Sequence, residues 1–68
     1  MKFIWRGCIE KGELIQQVGN RGIIRMETIT GYIYKPVMKI RKHGDKVPQW
    51  YAVGGNARLD YLKRWIRR

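Results

Sequence analysis

The stretch from residue 50 to residue 68 constrains the fold most, because it combines an apolar strand, a glycine turn and an amphipathic helix. Leu59, Leu62 and Ile66 are spaced at i, i+3 and i+7, which places their side chains on one helix face. Asn56 precedes them and is predicted to cap the helix, since its side-chain oxygen can accept a hydrogen bond from the first turn. The apolar face of this helix has to be buried, and the strands predicted upstream provide a sheet for it.

The rest of the chain is rich in residues that favour strands. Strands are predicted at 2–9, 23–34, 37–42 and 49–53, whereas residues 13–18 fit either a strand or a single helical turn. Gly31 predicts a bulge or a sharp bend within its strand, and Pro36 predicts a break in the hydrogen-bond ladder. We therefore expect residues 1–68 to form a single small basic domain of the α+β class. Its predicted fold is a small antiparallel sheet of four to five strands closed by one C-terminal basic amphipathic helix.

The net charge indicates the class of partner. Fifteen Lys and Arg residues oppose five Asp and Glu residues, which gives a formal net charge of +10. Such an excess of one charge repels itself in the folded chain and is typical of proteins that bind polyanions. We expect the partner to be a nucleic acid, DNA or RNA, or an acidic protein surface. A basic protein without a specific anionic partner is the alternative.

Length and cysteine content bear on the assembly and the compartment. A chain of 68 residues buries only about 60% of its unfolded surface, so a homodimer or a bound partner could add stability. Cys8 is the only cysteine, so no internal disulfide can form, which fits a reducing compartment. Cys8 itself is predicted to be a small core residue. No apolar run approaches the roughly 18 residues of a membrane span, and residues 1–6 do not resemble a secretion signal. We expect a cytoplasmic protein without a membrane span.

Few side chains are suited to catalysis. The chain has no serine, and His43 is its only histidine, so neither a nucleophilic site nor a zinc site is indicated. The acidic residues are spaced as solvated surface charges. No catalytic residue, metal or cofactor is therefore predicted, and we expect a protein that is not an enzyme. A metal-free, ribonuclease-like toxin that uses Lys, Arg, Tyr and His43 is the enzymatic alternative.

Basic and aromatic residues alternate in two clusters, one in the central hairpin and one in the helix. Cations neutralise phosphates, and exposed aromatic rings can stack on bases. The predicted nucleic-acid-binding residues are Lys35, Lys39, Arg41, Lys42 and Lys46 of the hairpin, Arg58, Lys63, Arg64, Arg67 and Arg68 of the helix, and the tyrosines Tyr32 and Tyr34, which share a strand face. By contrast, Trp5, Trp50 and Trp65 are predicted to fill the core.

The segment Tyr51-Ala52-Val53-Gly54-Gly55-Asn56-Ala57-Arg58-Leu59 resembles the strand–turn–helix of the ParB/sulfiredoxin superfamily. The upstream segment Lys35-Pro36-Val37-Met38-Lys39-Ile40 is similar to that family's strand of proline and apolar residues, so the resemblance covers about residues 35–66. The resemblance implies that Gly55, Asn56 and Arg58 approach a phosphate through backbone N–H groups and a guanidinium. Ala57 departs from the family pattern, which has two successive arginines, and a plain turn before a capped helix explains the same residues.

Three functions remain open from the sequence. The leading hypothesis is a small non-enzymatic nucleic-acid-binding protein that contacts phosphates with its basic hairpin and C-terminal helix. The second is an inhibitor or modulator of phage or mobile-element type, which docks a basic surface on an acidic, nucleic-acid-handling host protein. The third is a small basic enzyme, either the ribonuclease-like toxin or a nucleotide-binding relic of the ParB/sulfiredoxin superfamily.

Overall fold

The computed structural model describes all 68 residues and contains six strands and one short helix. These elements are β1 (Lys2–Trp5), β2 (Cys8–Lys11), β3 (Glu13–Val18), β4 (Arg21–Thr28), β5 (Gly31–Ile40), β6 (Gln49–Ala52) and α1 (Leu59–Trp65). The strands form one sheet in the order β2-β1-β6-β5-β4-β3, and this sheet curls into a half-barrel.

The predicted fold, an antiparallel sheet of four to five strands closed by a C-terminal helix, is wrong. The chain is mostly sheet, one strand pairing is parallel, and α1 has only seven residues. The turn at Arg6-Gly7 divides the predicted strand 2–9 into β1 and β2. Gly31, with a φ of 131°, follows the turn that separates β4 from β5, so it marks the sharp bend of a hairpin, which is one of the two predicted alternatives, and not a bulge.

A single residue, Gly12, joins β2 to β3, although these strands occupy the two edges of the sheet. The two strands therefore form one bent pass of the chain, and the sheet has to curl to bring its edges together. A Cβ atom at Gly12 would overlap Ile24 Cγ2, so the bend requires glycine. Met1 secures the corner, because its amino group donates to the Gly12 oxygen (2.8 Å) and its oxygen accepts from the Gly12 N–H (2.9 Å).

The parallel pairing follows from the number of passes. With β2 and β3 counted as one bent pass, the chain runs along the sheet five times in alternating directions. The first and last passes then point the same way, and β1 pairs with β6 in parallel through Ile4 and Tyr51. Every other pairing in the sheet is antiparallel.

The concave, inner face of the sheet holds the first of two hydrophobic clusters. Phe3 on β1 is buried in one cluster with Ile24 on β4 and Val37 on β5, although β6 separates β1 from β5 in the sheet. Side chains from distant strands meet here because the sheet curls around them. Trp5 and Trp50 are half-buried against this cluster, so the prediction that they belong to the core is confirmed.

The helix packs on the convex, outer face of the sheet. Leu62 and Ile66 are buried with Ile23 of β4, and Leu59 and Trp65 pack against them, which confirms the predicted apolar face of the helix. This single helix is neither long nor apolar enough to cross a membrane.

Pro36 lies inside β5 rather than breaking it. Its carbonyl oxygen accepts the Val53 N–H at 2.9 Å, just beyond the end of β6 at Ala52. The N–H and C=O of one strand residue point to the same neighbouring strand. An N–H at position 36 would therefore point towards β6, at the place where the β5–β6 ladder ends. The pairing of Pro36 with Ile23 on β4 loses no hydrogen bond.

The helix begins differently from its prediction. Ala57 forms an isolated bridge with Tyr34 of β5, so the chain returns to the sheet after the glycine turn. Arg58 occupies the N-cap position without a side-chain cap, and Asn56 is exposed, so the predicted Asn56 cap is wrong. Cys8 is also exposed rather than part of the core, because it lies at the start of an edge strand.

Candidate nucleic-acid interface

A row of side chains crosses the outer face of the sheet beside the helix. The strand registers align Ile4 of β1, Tyr51 of β6, Met38 of β5 and Arg21 of β4 next to one another. Residues paired in this way project from the same face of a sheet. Because neighbouring strands lie about 4.8 Å apart, Tyr51 and Arg21 are separated by about 10 Å.

Two residues of this row, Arg21 and Tyr51, take part in contacts between a cation and an aromatic ring. The Arg21 guanidinium lies 5.1 Å from the centroid of the Trp65 ring and donates a hydrogen bond to the Trp65 oxygen at 2.7 Å. The Lys42 amine lies 4.2 Å from the centroid of the Tyr51 ring. Such contacts hold positive charge at a fixed place beside an aromatic surface. The sequence did not single out Arg21 or Tyr51, because only the strand register places them together.

Asp45 organises the basic loop between β5 and β6. Its carboxylate accepts hydrogen bonds from the Tyr51 hydroxyl (2.6 Å) and the Lys42 N–H (3.0 Å), and its backbone oxygen accepts from Arg41 Nε (3.1 Å). The Tyr51 hydrogen bond is the main cause that lowers the pKa of Asp45, and the same bond raises the pKa of Tyr51. The loop's own acid therefore fixes its backbone and leaves its cations facing outwards. The predicted residues Lys39, Arg41, Lys42 and Lys46 are all exposed.

The outward side of the helix is cationic. Lys63, Arg64 and Arg67 are exposed and form no ion pair, and the Arg68 guanidinium lies 5.9 Å from the Tyr61 ring centroid. Asp60 pairs with Arg58 at 3.3 Å and not with Arg64, which lies four residues further along the helix.

The C-terminus of the helix and the basic loop lie at the same end of the sheet. Arg21 contacts the last helical residue, Trp65, and pairs in register with Met38, two residues before β5 ends and the loop begins. The structure thus brings together the two basic clusters that are separate in the sequence. We call this surface the cationic end; it comprises Arg21, Lys42, Arg64, Arg67 and Arg68 with the rings of Tyr51 and Trp65.

The opposite end of the outer face is balanced in charge. Arg25 lies over the Tyr32 ring at 4.5 Å and forms an ion pair with Glu13 at 2.7 Å, and this hydrogen bond raises the pKa of Arg25. Glu27 pairs in register with Tyr32, and Asp60 neutralises Arg58. Cations at this end are therefore already engaged by carboxylates.

This balanced end contains a groove of about 610 Å³ that joins two predicted sets of residues. Tyr32 and Tyr34 line it together with Asn56 and Arg58. The Tyr32 side of the groove is open, since this residue is 54% exposed, whereas Tyr34 packs against the cluster under the helix. The stacking tyrosines and the turn predicted to bind phosphate thus share one groove.

The glycine turn uses its backbone differently from the family resemblance. The Ala57 N–H donates to the Tyr34 oxygen at 2.9 Å and is not free for a ligand, whereas Gly55 and Asn56 are exposed. The implied phosphate contact of Gly55, Asn56 and Arg58 stays a prediction.

Lys35 is the one predicted site residue that the structure buries. It lies next to Tyr34 in β5 and therefore projects from the inner face, where it is 7% exposed. Its amine is 4.5 Å from the Trp5 ring centroid, away from the cationic end.

No protein-family model, curated protein or solved structure matches the chain. The resemblance to the ParB/sulfiredoxin superfamily therefore stays a prediction. No group of three or more His, Cys, Asp or Glu side chains is placed to hold a metal ion.

Proposed function

We propose that this protein is a small, non-enzymatic nucleic-acid-binding protein that contacts phosphates with its cationic end. One observation carries the proposal: nearly all of the cations lack an ion pair. Of fifteen Lys and Arg residues, only Arg25 and Arg58 form ion pairs. Both lie at the balanced end of the outer face, near Tyr32. The lysines and arginines of the helix and of the basic loop form no ion pair and are available to a partner, although Asp45 lies within the loop.

The geometry of the cationic end suits a phosphate backbone. Arg21 and Lys42 hold charges on either side of Met38, on side chains that aromatic rings support. Arg64 on the helix and Arg67 just beyond its end extend the charge. Phosphate contacts of this kind provide affinity without reading sequence, and nearby aromatic rings can stack on unpaired bases. The proposed compartment is the cytoplasm, on the basis of the single, unpaired cysteine.

An acidic protein surface is the second candidate partner, which would make the protein an inhibitor or modulator. The observation in its favour is Val47, an apolar side chain in the basic loop that is 57% exposed. An apolar contact of this kind strengthens a protein interface, whereas a phosphate backbone offers no apolar surface for Val47 to contact. A second copy of the chain is also a possible partner under this proposal.

The proposal predicts that charge matters at the cationic end and not elsewhere. The test compares Arg64→Ala/Arg67→Ala with Lys2→Ala/Lys11→Ala, which pairs two exposed lysines across β1 and β2 and removes the same charge. Binding to labelled duplex DNA, single-stranded DNA and RNA is measured by fluorescence anisotropy at a constant salt concentration. We expect the helix variant to lose about tenfold or more in affinity, since each lost phosphate contact weakens binding. The lysine variant should lose no more than about threefold.

Two outcomes would contradict the proposal in different ways. Equal losses in both variants would show that net charge alone attracts nucleic acid, without a defined interface. Failure of the wild type to bind any of the three probes would reject the nucleic-acid partner. A stoichiometric protein recovered after nuclease treatment would then favour the acidic protein surface.

A further inference from the structure

The groove beside Tyr32 is the largest cavity of the molecule. Its volume of about 610 Å³ falls within the range of about 300–1,000 Å³ that is typical of small-molecule sites. Tyr32, Tyr34 and Leu59 give it aromatic and apolar walls, and Asn56 adds an amide. Apolar walls with a few polar groups are what a planar organic ligand requires.

The Tyr32 ring separates this groove from an arginine. The Arg25 guanidinium lies over the ring, 4.5 Å from its centroid, and is held there by its ion pair with Glu13. Arg25 and Glu13 line a neighbouring cavity of about 350 Å³, which Tyr32 also lines. Since Arg25 does not line the groove, the Tyr32 ring stands between the two cavities. Arg25 thus supports the ring on one side, and the groove leaves the other side open for stacking.

The polar groups of the groove suit a ligand without charge. Arg58 and Asp60 both line it and pair with each other at 3.3 Å, so their charges cancel. The Asn56 side chain is exposed and forms no hydrogen bond within the chain, so its donor and its acceptor are both open to a ligand. An aromatic ring for stacking and an amide for the base edge are the means by which proteins bind unpaired nucleobases.

The groove and the cationic end lie on the same face of the sheet. Tyr32 and Met38 both project from the outer face of β5, six residues apart, which is about 20 Å along a strand. The helix connects the two places, because Leu59 at its start lines the groove and Trp65 at its last turn contacts Arg21. A nucleic-acid strand held by its phosphates at the cationic end can therefore reach the groove with a base a few nucleotides away.

We infer that the groove binds one unpaired base of a single-stranded nucleic acid whose phosphates lie on the cationic end. The base stacks on the Tyr32 ring on the side away from Arg25, and the Asn56 amide forms hydrogen bonds with its edge. A base within a duplex has to leave its stack before it can enter such a groove. The inference rests on the proposed function for the phosphate contacts and adds that the preferred ligand is single-stranded.

The test compares two short oligonucleotides that have the same length and the same number of phosphates. One is oligothymidylate, and the other is the same strand with a stable abasic residue at every position. Binding is measured by fluorescence anisotropy at a constant salt concentration. We expect the wild type to bind oligothymidylate at least about fivefold more tightly, since a stacked base contributes at least this much. The NMR signals of the Tyr32 ring should shift with oligothymidylate and not with the abasic strand.

Three variants assign this preference to the groove. Tyr32→Leu removes the ring and should bind both strands equally, with the wild-type affinity for the abasic strand. Tyr32→Phe keeps the ring and should keep the preference, because the Tyr32 hydroxyl forms no hydrogen bond within the chain. Asn56→Ala, at an exposed position, should reduce the preference at least about twofold through the lost hydrogen bond.

The outcomes separate this inference from the proposed function. Equal binding of the two strands by the wild type would overturn the inference and leave the phosphate contacts of the cationic end intact. A preference that persists in Tyr32→Leu would place the stacked base on another ring and would also overturn it. Failure of the wild type to bind either strand would reject the proposed function, and the inference with it.

Discussion

Asp45 has an unusual position for an acid, in the middle of the most basic loop of the molecule. Its carboxylate ties the Tyr51 hydroxyl to the Lys42 backbone, and Lys42 in turn covers the Tyr51 ring. The negative charge therefore serves to fix the loop rather than to neutralise a particular cation. A loop held in this way presents its lysines without the entropy cost of ordering them on binding.

The Asp45–Tyr51 hydrogen bond predicts a pH dependence of stability. The bond lowers the pKa of Asp45, so the carboxylate stabilises the fold above the ordinary aspartate pKa of about 4. This contribution is lost as the pH falls through the lowered pKa of the folded state. We expect Asp45→Asn to reduce the free energy of unfolding at pH 7, with a difference from wild type that shrinks as the pH falls below about 4. Urea unfolding across this pH range measures it.

Tyr51→Phe is the control for this prediction, because it removes the main cause of the shift while keeping the ring. Its acid dependence should resemble that of Asp45→Asn. The bond also raises the pKa of Tyr51, so wild type but not Tyr51→Phe should lose this contribution above about pH 10. A difference between wild type and Asp45→Asn that stays constant from pH 7 to pH 2 would contradict the account.

The bend between β2 and β3 sets the curl of the sheet, and Gly12 is its critical residue. A Cβ atom there would collide with Ile24 Cγ2 and approach the Arg25 oxygen to 3.2 Å. We expect Gly12→Ala to destabilise the fold by about 1–3 kcal/mol, as overpacking of a core does. Gly55→Ala is the control, since nothing lies within 4 Å of its added Cβ, and it should change stability by less than about 0.5 kcal/mol. Equal effects of the two changes on thermal unfolding would contradict this role of Gly12.

The sequence could predict elements where the pattern of side chains is local. Alternation and spacing located the helix face of Leu59, Leu62 and Ile66, and residues 13–18 are the strand that one of the two alternatives proposed. The pattern could not predict that β2 continues through Gly12 into β3. A glycine usually indicates a turn, and the sequence does not show that Gly12 packs against Ile24 of β4. The break predicted at Pro36 is wrong for a similar reason. Only the strand register shows that the β5–β6 ladder ends beside the position of the missing N–H.

At the scale of the whole molecule, the distribution of charge over the surface locates the candidate interface, whereas the net charge does not. The net charge of +10 and the residues of the helix could be predicted from the sequence. The sequence could not predict which cations remain free, because ion pairing and burial depend on the fold. Arg58 pairs with Asp60, Lys35 is buried on the inner face of the sheet, and Arg21 joins the cationic end through its contact with Trp65. The candidate site therefore keeps Lys42, Arg64, Arg67 and Arg68 from the predicted cations and adds Arg21.

The salt dependence of nucleic-acid binding tests the central claim most directly. If the cations of the cationic end neutralise about five phosphates of a duplex, the logarithm of the association constant falls with the logarithm of salt concentration at a slope of about −0.9 per phosphate. Wild-type affinity should then drop by roughly 10³-fold between about 50 and 200 mM salt. An affinity that does not change with salt, or no binding below about 100 μM, would contradict the claim that this surface binds a phosphate backbone.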